Sequence, residues 1–178
     1  MIPTLIGSAH TASNATSVDI TSGIDSTYDH YMFVLTGMNP ATDTAETAFQ
    51  VNVADASGFN ETFTSTWFAA AHKEDDSATA FAYDTANHQA QGTGYQHITG
   101  NQGNDADSGG AMILHLFNPA STTYITQFYC TATYMIQVDS SAHGFSAGYI
   151  NSTAAVDEIS FKMKSGNFDG VIQMYGIS

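Results

Sequence analysis

The chain has 178 residues, with 17 acidic side chains against three lysines and no arginine, which gives a formal charge of −14. Nucleic acids and anionic membranes attract clustered Lys and Arg, so this balance excludes both as binding partners. The length fits one domain over residues 1–178, and the 9 Tyr, 11 Phe and one Trp argue against a disordered chain.

The start of the chain lacks the basic and apolar segments of a signal peptide, and no apolar run reaches the roughly 18 residues that span a bilayer. We therefore expect a soluble protein that is made in a cytoplasm. Cys130 is the sole cysteine, which excludes an intrachain disulfide and a cysteine-based zinc site. Its strand-like surroundings predict a buried, unreactive thiol.

The first strong strand signal along the chain is the apolar run at residues 28–36. Shorter signals follow at residues 49–53 and 63–68. Residues 72–87 are rich in alanine without an amphipathic stripe, and we expect at most a short helical turn in a long loop there. Residues 112–117 repeat the continuous apolar pattern of residues 28–36, which predicts two strands buried on both faces, near the middle of a sandwich.

The second half of the chain continues with β-rich sequence. Residues 122–138 alternate aromatic and β-branched side chains, which predicts a long or bent strand. In residues 156–164, Ile159, Phe161 and Met163 alternate with polar side chains, and a Ser-Gly-Asn turn signal follows. Residues 172–175 alternate again, so the two runs predict a hairpin.

These signals predict an all-β chain without a second domain. Eight or more strands separated by turn residues favour two packed antiparallel sheets, a β-sandwich of the jelly-roll type.

Seven histidines are the first candidates for chemistry, at positions 10, 30, 72, 88, 97, 115 and 143. None of them stands in the spacing of a known zinc motif. His115 lies within an apolar run, where a hydrogen-bonded structural histidine is expected. We predict no metal, no cofactor and no catalytic residues.

Two further motifs match chemical signatures in part. The loop at residues 103–110 carries Asp105 and Asp107 in a calcium-like start, but Leu116 stands where an EF-hand needs glutamate. A solvated acidic loop is the expectation, with calcium as the alternative. Gly144-Phe145-Ser146-Ala147-Gly148 has the letters of a serine-hydrolase elbow, but strand-like sequence follows instead of a helix, so we interpret it as a coincidence. A pair of glycosidase carboxylates cannot be identified from sequence, because such pairs meet only in space.

Several blocks, taken together and in order, resemble a virion-protein family of marine and freshwater tailed phages. They cover nearly the whole chain: Thr11-Ala12-Ser13-Asn14-Ala15-Thr16, Ser22-Gly23-Ile24-Asp25-Ser26-Thr27-Tyr28, Asn39-Pro40-Ala41-Thr42-Asp43, Phe117-Asn118-Pro119-Ala120-Ser121-Thr122-Thr123, Ala147-Gly148-Tyr149-Ile150-Asn151, Phe161-Lys162-Met163-Lys164-Ser165-Gly166-Asn167 and Ile172-Gln173-Met174-Tyr175-Gly176-Ile177. Met174 and Lys164 depart from the usual Leu and Ser. The resemblance implies a jelly-roll-like domain of the phage particle and carries no catalytic motif.

The functional expectation is a non-enzymatic capsid decoration, or cement, protein of the virion. It would bind the major capsid protein or another virion protein as a homo-oligomer, and a homotrimer fits capsid three-fold positions. The alternative is a fibre or knob module that binds host-surface glycans. An enzyme is the third class, without a recognisable constellation.

Overall fold

The computed structural model describes residues 2–178, and strands are the regular secondary structure of this range. Within it, no helix is long and apolar enough to cross a membrane. The strands in chain order are β1 (Pro3–Ala15), β2 (Val18–Ile20), β3 (His30–Pro40), β4 (Thr47–Val53), β5 (Phe63–Lys73), β6 (Thr79–Tyr83), β7 (Ala90–Gly92), β8 (Gln96–His97), β9 (Gly110–Phe117), β10 (Gln127–Ile136), β11 (Ser140–Ile150), β12 (Val156–Met163) and β13 (Phe168–Ile177).

The strands form two antiparallel sheets that pack face to face. The large sheet has nine strands in the order β1-β13-β3-β9-β10-β11-β5-β6, with β7 also paired to β5. The small sheet has four strands in the order β2-β12-β4-β8. The predicted all-β, antiparallel β-sandwich is therefore confirmed.

Eight of the strands have the nested pairing of a jelly roll. β1 pairs with β13, β2 with β12, β3 with β9, and β4 with β8, so the first strand meets the last and the innermost two meet each other. A long ribbon rolled up in this way gives two four-stranded sheets. The other five strands, β5 to β7 and β10 to β11, come from two insertions that widen the large sheet.

Aromatic side chains fill the space between the sheets. Phe49 from the small sheet is fully buried and meets Phe63 and Phe128 of the large sheet edge to face, with ring centres 5.5 and 5.2 Å apart. Phe161 lies beside Phe33, which is also fully buried. Each such ring contributes roughly 2–3 kcal/mol of transfer free energy, so this cluster dominates the core.

The predicted hairpin between residues 156–164 and 172–175 is wrong. β12 pairs with β2 and β4 in the small sheet, whereas β13 pairs with β1 and β3 in the large sheet. The turn between them, with Gly166 at a φ of 73°, carries the chain from one sheet to the other. Both strands bury one face against the same core, so their alternation is identical whichever sheet they join.

Two other local expectations change. Residues 72–87 contain β6 instead of a helical turn, because Thr79–Tyr83 pairs in regular antiparallel register with β5. The strand predicted at residues 122–138 is shorter, since β10 starts at Gln127 after a loop and ends at Ile136. Cys130 lies within β10 and is buried as expected. Burial raises the pKa of its thiol far above the usual value.

Candidate functional site

The side of the large sheet that faces away from the small sheet, here called the outer face, is the most distinctive surface. β3 and β9 were expected to be buried on both faces, and this is wrong. Tyr31, Phe33 and Leu35 point into the core at 0% exposure, while the residues between them lie partly exposed on the outer face. On β9, Ile113 is 39% exposed. The continuous apolar runs therefore reflect a strand with one core face and one apolar face toward solvent.

The outer face carries almost no charge. Among the strands of the large sheet, the charged side chains are Lys73 and Asp169, and each lies near an end of its strand. The other charged residues of the range 2–178 belong to loops or to the small sheet. A molecule with a charge of −14 thus confines its charge to the rest of its surface.

A first ladder of stacked rings crosses three strands of the outer face and consists of His30, His115, Phe117 and Tyr129. His30 stacks on Phe117 with ring centres 4.6 Å apart, and His115 stacks on Tyr129 at 4.5 Å. His30 Nε2 and His115 Nδ1 are 2.7 Å apart, so one nitrogen donates a hydrogen and the other accepts it. This confirms the expectation of a hydrogen-bonded structural histidine at position 115.

The histidine pair adds no charge to the outer face at neutral pH. Burial lowers the pKa of His30. Burial, with a smaller contribution from the neighbouring His30, lowers the pKa of His115 to about 4. Both rings are therefore neutral near pH 7.

A second ladder of rings lies toward the other side of the outer face and consists of His143, Phe145, Phe68 and Phe81. His143 stacks on Phe145 at 4.4 Å, and Phe145 stacks on Phe68 at 4.9 Å with ring planes 14° apart. Phe81 follows at 5.8 Å from Phe68 and is 76% exposed. In both ladders the inner rings stack on a neighbouring ring.

Small side chains leave a shallow hollow between the two ladders. Its volume is about 230 Å³, and β3, β9, β10 and β11 contribute its lining. The residues that line it include Thr36, Ala111, Ile113, Thr131, Thr133 and His143. The outer face therefore combines two raised aromatic ridges with an apolar depression, a relief that a complementary protein surface can fill.

The letters of a serine-hydrolase elbow do not lie at a turn between a strand and a helix. Gly144 to Gly148 lies inside β11, as the strand-like sequence predicted, and Ser146 points to the core side at 3% exposure. Its hydroxyl has no hydrogen-bond partner within residues 2–178. It is therefore placed as a core residue and not at an exposed elbow.

The acidic loop at residues 103–110 is held mainly through its backbone. Asn39 donates its side-chain amide to the carbonyl oxygens of Asp105 and Ser108, at 2.8 and 3.0 Å. The carboxylates of Asp105 and Asp107 are exposed. Across residues 2–178, no group of three or more His, Cys, Asp or Glu side chains is arranged to hold a metal ion.

One buried polar cluster was not predicted from the sequence. Glu46 is nearly buried and lies 2.8 Å from Lys164 Nζ and 3.1 Å from His97 Nδ1. The same His97 nitrogen is 2.7 Å from Asn87 Oδ1. Burial lowers the pKa of His97, so the charged pair is Glu46 with Lys164 and the imidazole is neutral. The cluster ties loops to one end of the small sheet, and its members are too far apart in sequence to form a motif.

Among the seven histidines, the structure brings together only His30 and His115. His72, which is exposed, lies 2.9 Å from Asp76, and His88, which is half-buried, lies 2.9 Å from the Tyr83 hydroxyl. These histidines therefore contact separate partners, and the outer face remains the candidate functional site. No protein-family model matches the chain, and no curated protein is similar to it.

Proposed function

We propose that this protein is a non-enzymatic structural component of a phage particle, a capsid decoration protein that docks on other virion proteins through its outer face. The observation that carries the proposal is the absence of charge from the interior of that face in a chain of net charge −14. The resemblance of the sequence to virion proteins is the reason for proposing a phage particle as the location of this protein. The major capsid protein is the proposed partner.

Charge and composition of the outer face support protein docking. The centre of a protein interface is depleted in charged residues and enriched in aromatic residues and Met, because buried charges must lose their hydration. The outer face offers aromatic ladders, Met32 and Ile113 at its centre. The acidic residues around it would form a solvated rim and would repel polyanions such as packaged DNA.

The size of the outer face also suits a stable interface. Eight lanes of strands lie side by side in the large sheet. Lanes about 4.8 Å apart, with about seven residues each at about 3.4 Å, cover roughly 34 by 24 Å, or about 800 Å². A standard protein interface buries about 800 Å² on each partner.

A fibre or knob module that binds host glycans is the second candidate. Sugars stack on ring faces that are open to solvent, and Phe81 and Tyr124 are 76% and 70% exposed. Most other rings of the outer face are occupied by neighbouring rings, which favours a protein partner over a sugar. The two candidates differ in which residues they need, so they can be separated.

The test is cosedimentation of the protein with stripped capsids, in parallel with a glycan array. The variant Ile113→Lys places a charge at the centre of the outer face, and Ser57→Lys places the same charge on an exposed loop as a control. Burying an unpaired charge costs about 3–5 kcal/mol, so Ile113→Lys should bind capsids at least a hundredfold more weakly. The control should bind like the unchanged protein.

Thermal melting should show that Ile113→Lys is folded, because the side chain it replaces is already exposed. Capsid binding that is indifferent to Ile113→Lys would remove the outer face from the proposal. Glycan binding without capsid binding, lost in Tyr124→Ala, would replace the decoration protein with the glycan-binding module.

A further inference from the structure

The edges of the two sheets differ in how well they are protected against pairing with another strand. β1, at one edge of the large sheet, starts at Pro3, has two register shifts, and has Gly7 and Asn14 at positive φ. The edge strands of the small sheet have three and two residues. Bulges, prolines and short edge strands are the devices by which proteins prevent edge pairing.

β6, at the other edge of the large sheet, has none of these devices. Thr79–Tyr83 pairs with β5 without a register shift, and it holds neither proline nor a charged residue. All five residues are exposed. Such an edge is a template for another strand.

The hydrogen bonds between β5 and β6 show which backbone groups of β6 are free. Lys73 donates its N–H to the carbonyl oxygen of Ala78, and Asp84 donates to the carbonyl oxygen of Trp67. These residues occupy hydrogen-bonded pairs, and such pairs alternate along an antiparallel ladder. The N–H and C=O groups of Thr79, Phe81 and Tyr83 therefore point away from β5, where no strand of residues 2–178 pairs with them.

We propose that β6 pairs in antiparallel register with β6 of a second copy of this chain, giving a two-fold dimer. The axis passes beside Phe81, so that Phe81 lies opposite its own counterpart and Thr79 lies opposite the partner's Tyr83. This register uses all three sets of free backbone groups. It also covers Phe81, the exposed last ring of the second ladder, with an identical ring.

The uncharged sequence of this edge and its self-complementary register favour a second copy as the occupant. Two molecules of net charge −14 repel each other, and residues 77–83 form an uncharged approach between Asp76 and Asp84. In the proposed register Asp84 lies opposite the partner's Ala78, so no two acids are directly opposed. Small side chains meet small ones on one side of the ribbon, and the larger Thr79, Phe81 and Tyr83 meet each other on the other.

The dimer has a consequence for the outer face. A two-fold axis perpendicular to an antiparallel ribbon keeps both sheets facing the same way, so the two outer faces form one continuous surface. Two docking faces on one side would raise the avidity for a lattice. The pairing itself does not rest on the proposed capsid binding, and it favours a dimer over the trimer expected from the sequence.

Sedimentation equilibrium of the full chain tests the proposal. The unchanged protein should have twice its 18.9 kDa mass at sub-millimolar concentration. Thr79→Pro removes an outward N–H that β5 does not use, and proline is tolerated at such edge positions. The substitution is repeated across the axis, so two hydrogen bonds are lost and the dimer should weaken by about thirtyfold.

A second pair of variants separates this proposal from capsid docking. Phe81→Lys opposes two like charges at the axis and should give a monomer, whereas Ile113→Lys, away from β6, should remain a dimer without binding capsids.

Phe81→Cys should form a disulfide between copies, because directly opposed residues of a hydrogen-bonded pair have Cα atoms about 5.5 Å apart. Thr66→Cys, exposed on β5, is the control that should not cross-link.

Three results would overturn the dimer: a monomer or a trimer of the unchanged protein, an unchanged mass in both Thr79→Pro and Phe81→Lys, or equal cross-linking of Phe81→Cys and Thr66→Cys. Circular dichroism of each variant establishes that a monomeric result comes from a folded chain. A dimer that fails to bind capsids would leave this inference standing and reject the capsid partner.

Discussion

Mild acid should destabilise the protein through the histidine pair of the outer face. The ordinary pKa of 6.5 applies to His115 in the unfolded chain, whereas burial and the adjacent His30 lower its pKa to about 4 in the folded protein. The unfolded chain therefore binds a proton first as the pH falls.

The sign and size of the effect follow from this difference. Because the pKa of His115 is lowered on folding, its contribution to the free energy of unfolding is complete above pH 6.5. This contribution is lost progressively as the pH falls toward the pKa of the folded protein. Between pH 7.5 and pH 5 the linkage relation gives a loss of about 2 kcal/mol for a fully buried group. The ring of His115 is partly accessible, and screening by solvent reduces the expected loss to about 1 kcal/mol.

Urea unfolding of the unchanged protein and of His115→Gln at the two pH values measures this contribution. The glutamine oxygen can still accept a hydrogen from His30 but does not titrate. Trp67, the sole tryptophan and 4% exposed, reports unfolding by fluorescence. Both pH values lie above the isoelectric point of about 4.3, where the charge keeps the protein soluble.

The variant should lose about 1 kcal/mol less stability than the unchanged protein on acidification. Carboxylates that titrate in the same range are identical in both chains, so they cancel in the comparison. Equal losses in the two proteins would refute the assignment of a titrating, partly buried histidine at this position.

Three further predictions concern the core, the thiol and the acidic loop. Phe49→Ala should lower the free energy of unfolding by about 3–5 kcal/mol in urea, because it empties the centre of the aromatic core, whereas Tyr124→Ala on an exposed loop should change it by less than about 0.5 kcal/mol. Cys130 should not react with a thiol reagent until the protein unfolds, because burial removes access and raises the pKa of the thiol. Calcium or EDTA should leave the melting temperature unchanged, because Asp105 and Asp107 are not part of a ligand cluster; a rise with calcium would contradict this.

Some features could be read from local sequence because they depend on neighbours along the chain. The alternation of Ile159, Phe161 and Met163 indicates a strand with one buried face, and these side chains are buried in β12. The surroundings of Ser146 indicated a strand, and it lies in β11. In each case the period of two follows from strand geometry alone.

The candidate sites could not be read in this way, since their members meet only after folding. His30 and His115 are 85 residues apart in sequence, and Phe68 and Phe145 come from different parts of the chain. The apolar run that contains Ile113 looks the same for a strand buried on both sides and for one with an apolar face toward solvent. Composition does not distinguish a core from an interface, because both exclude charge.

The amino-acid sequence by itself determined the all-β character of this protein, its β-sandwich class and its acidic surface. The first two follow from the alternation of side chains and from the turn residues, which depend on neighbours along the chain. The acidic surface follows from the sum of the charges. Only the tertiary structure decided which strands share a sheet, that β12 and β13 separate, and that β6 forms a bare edge. Strand pairing brings together residues distant in sequence, and its hydrogen bonds join backbone groups that every residue type provides, so side-chain patterns do not specify the partner.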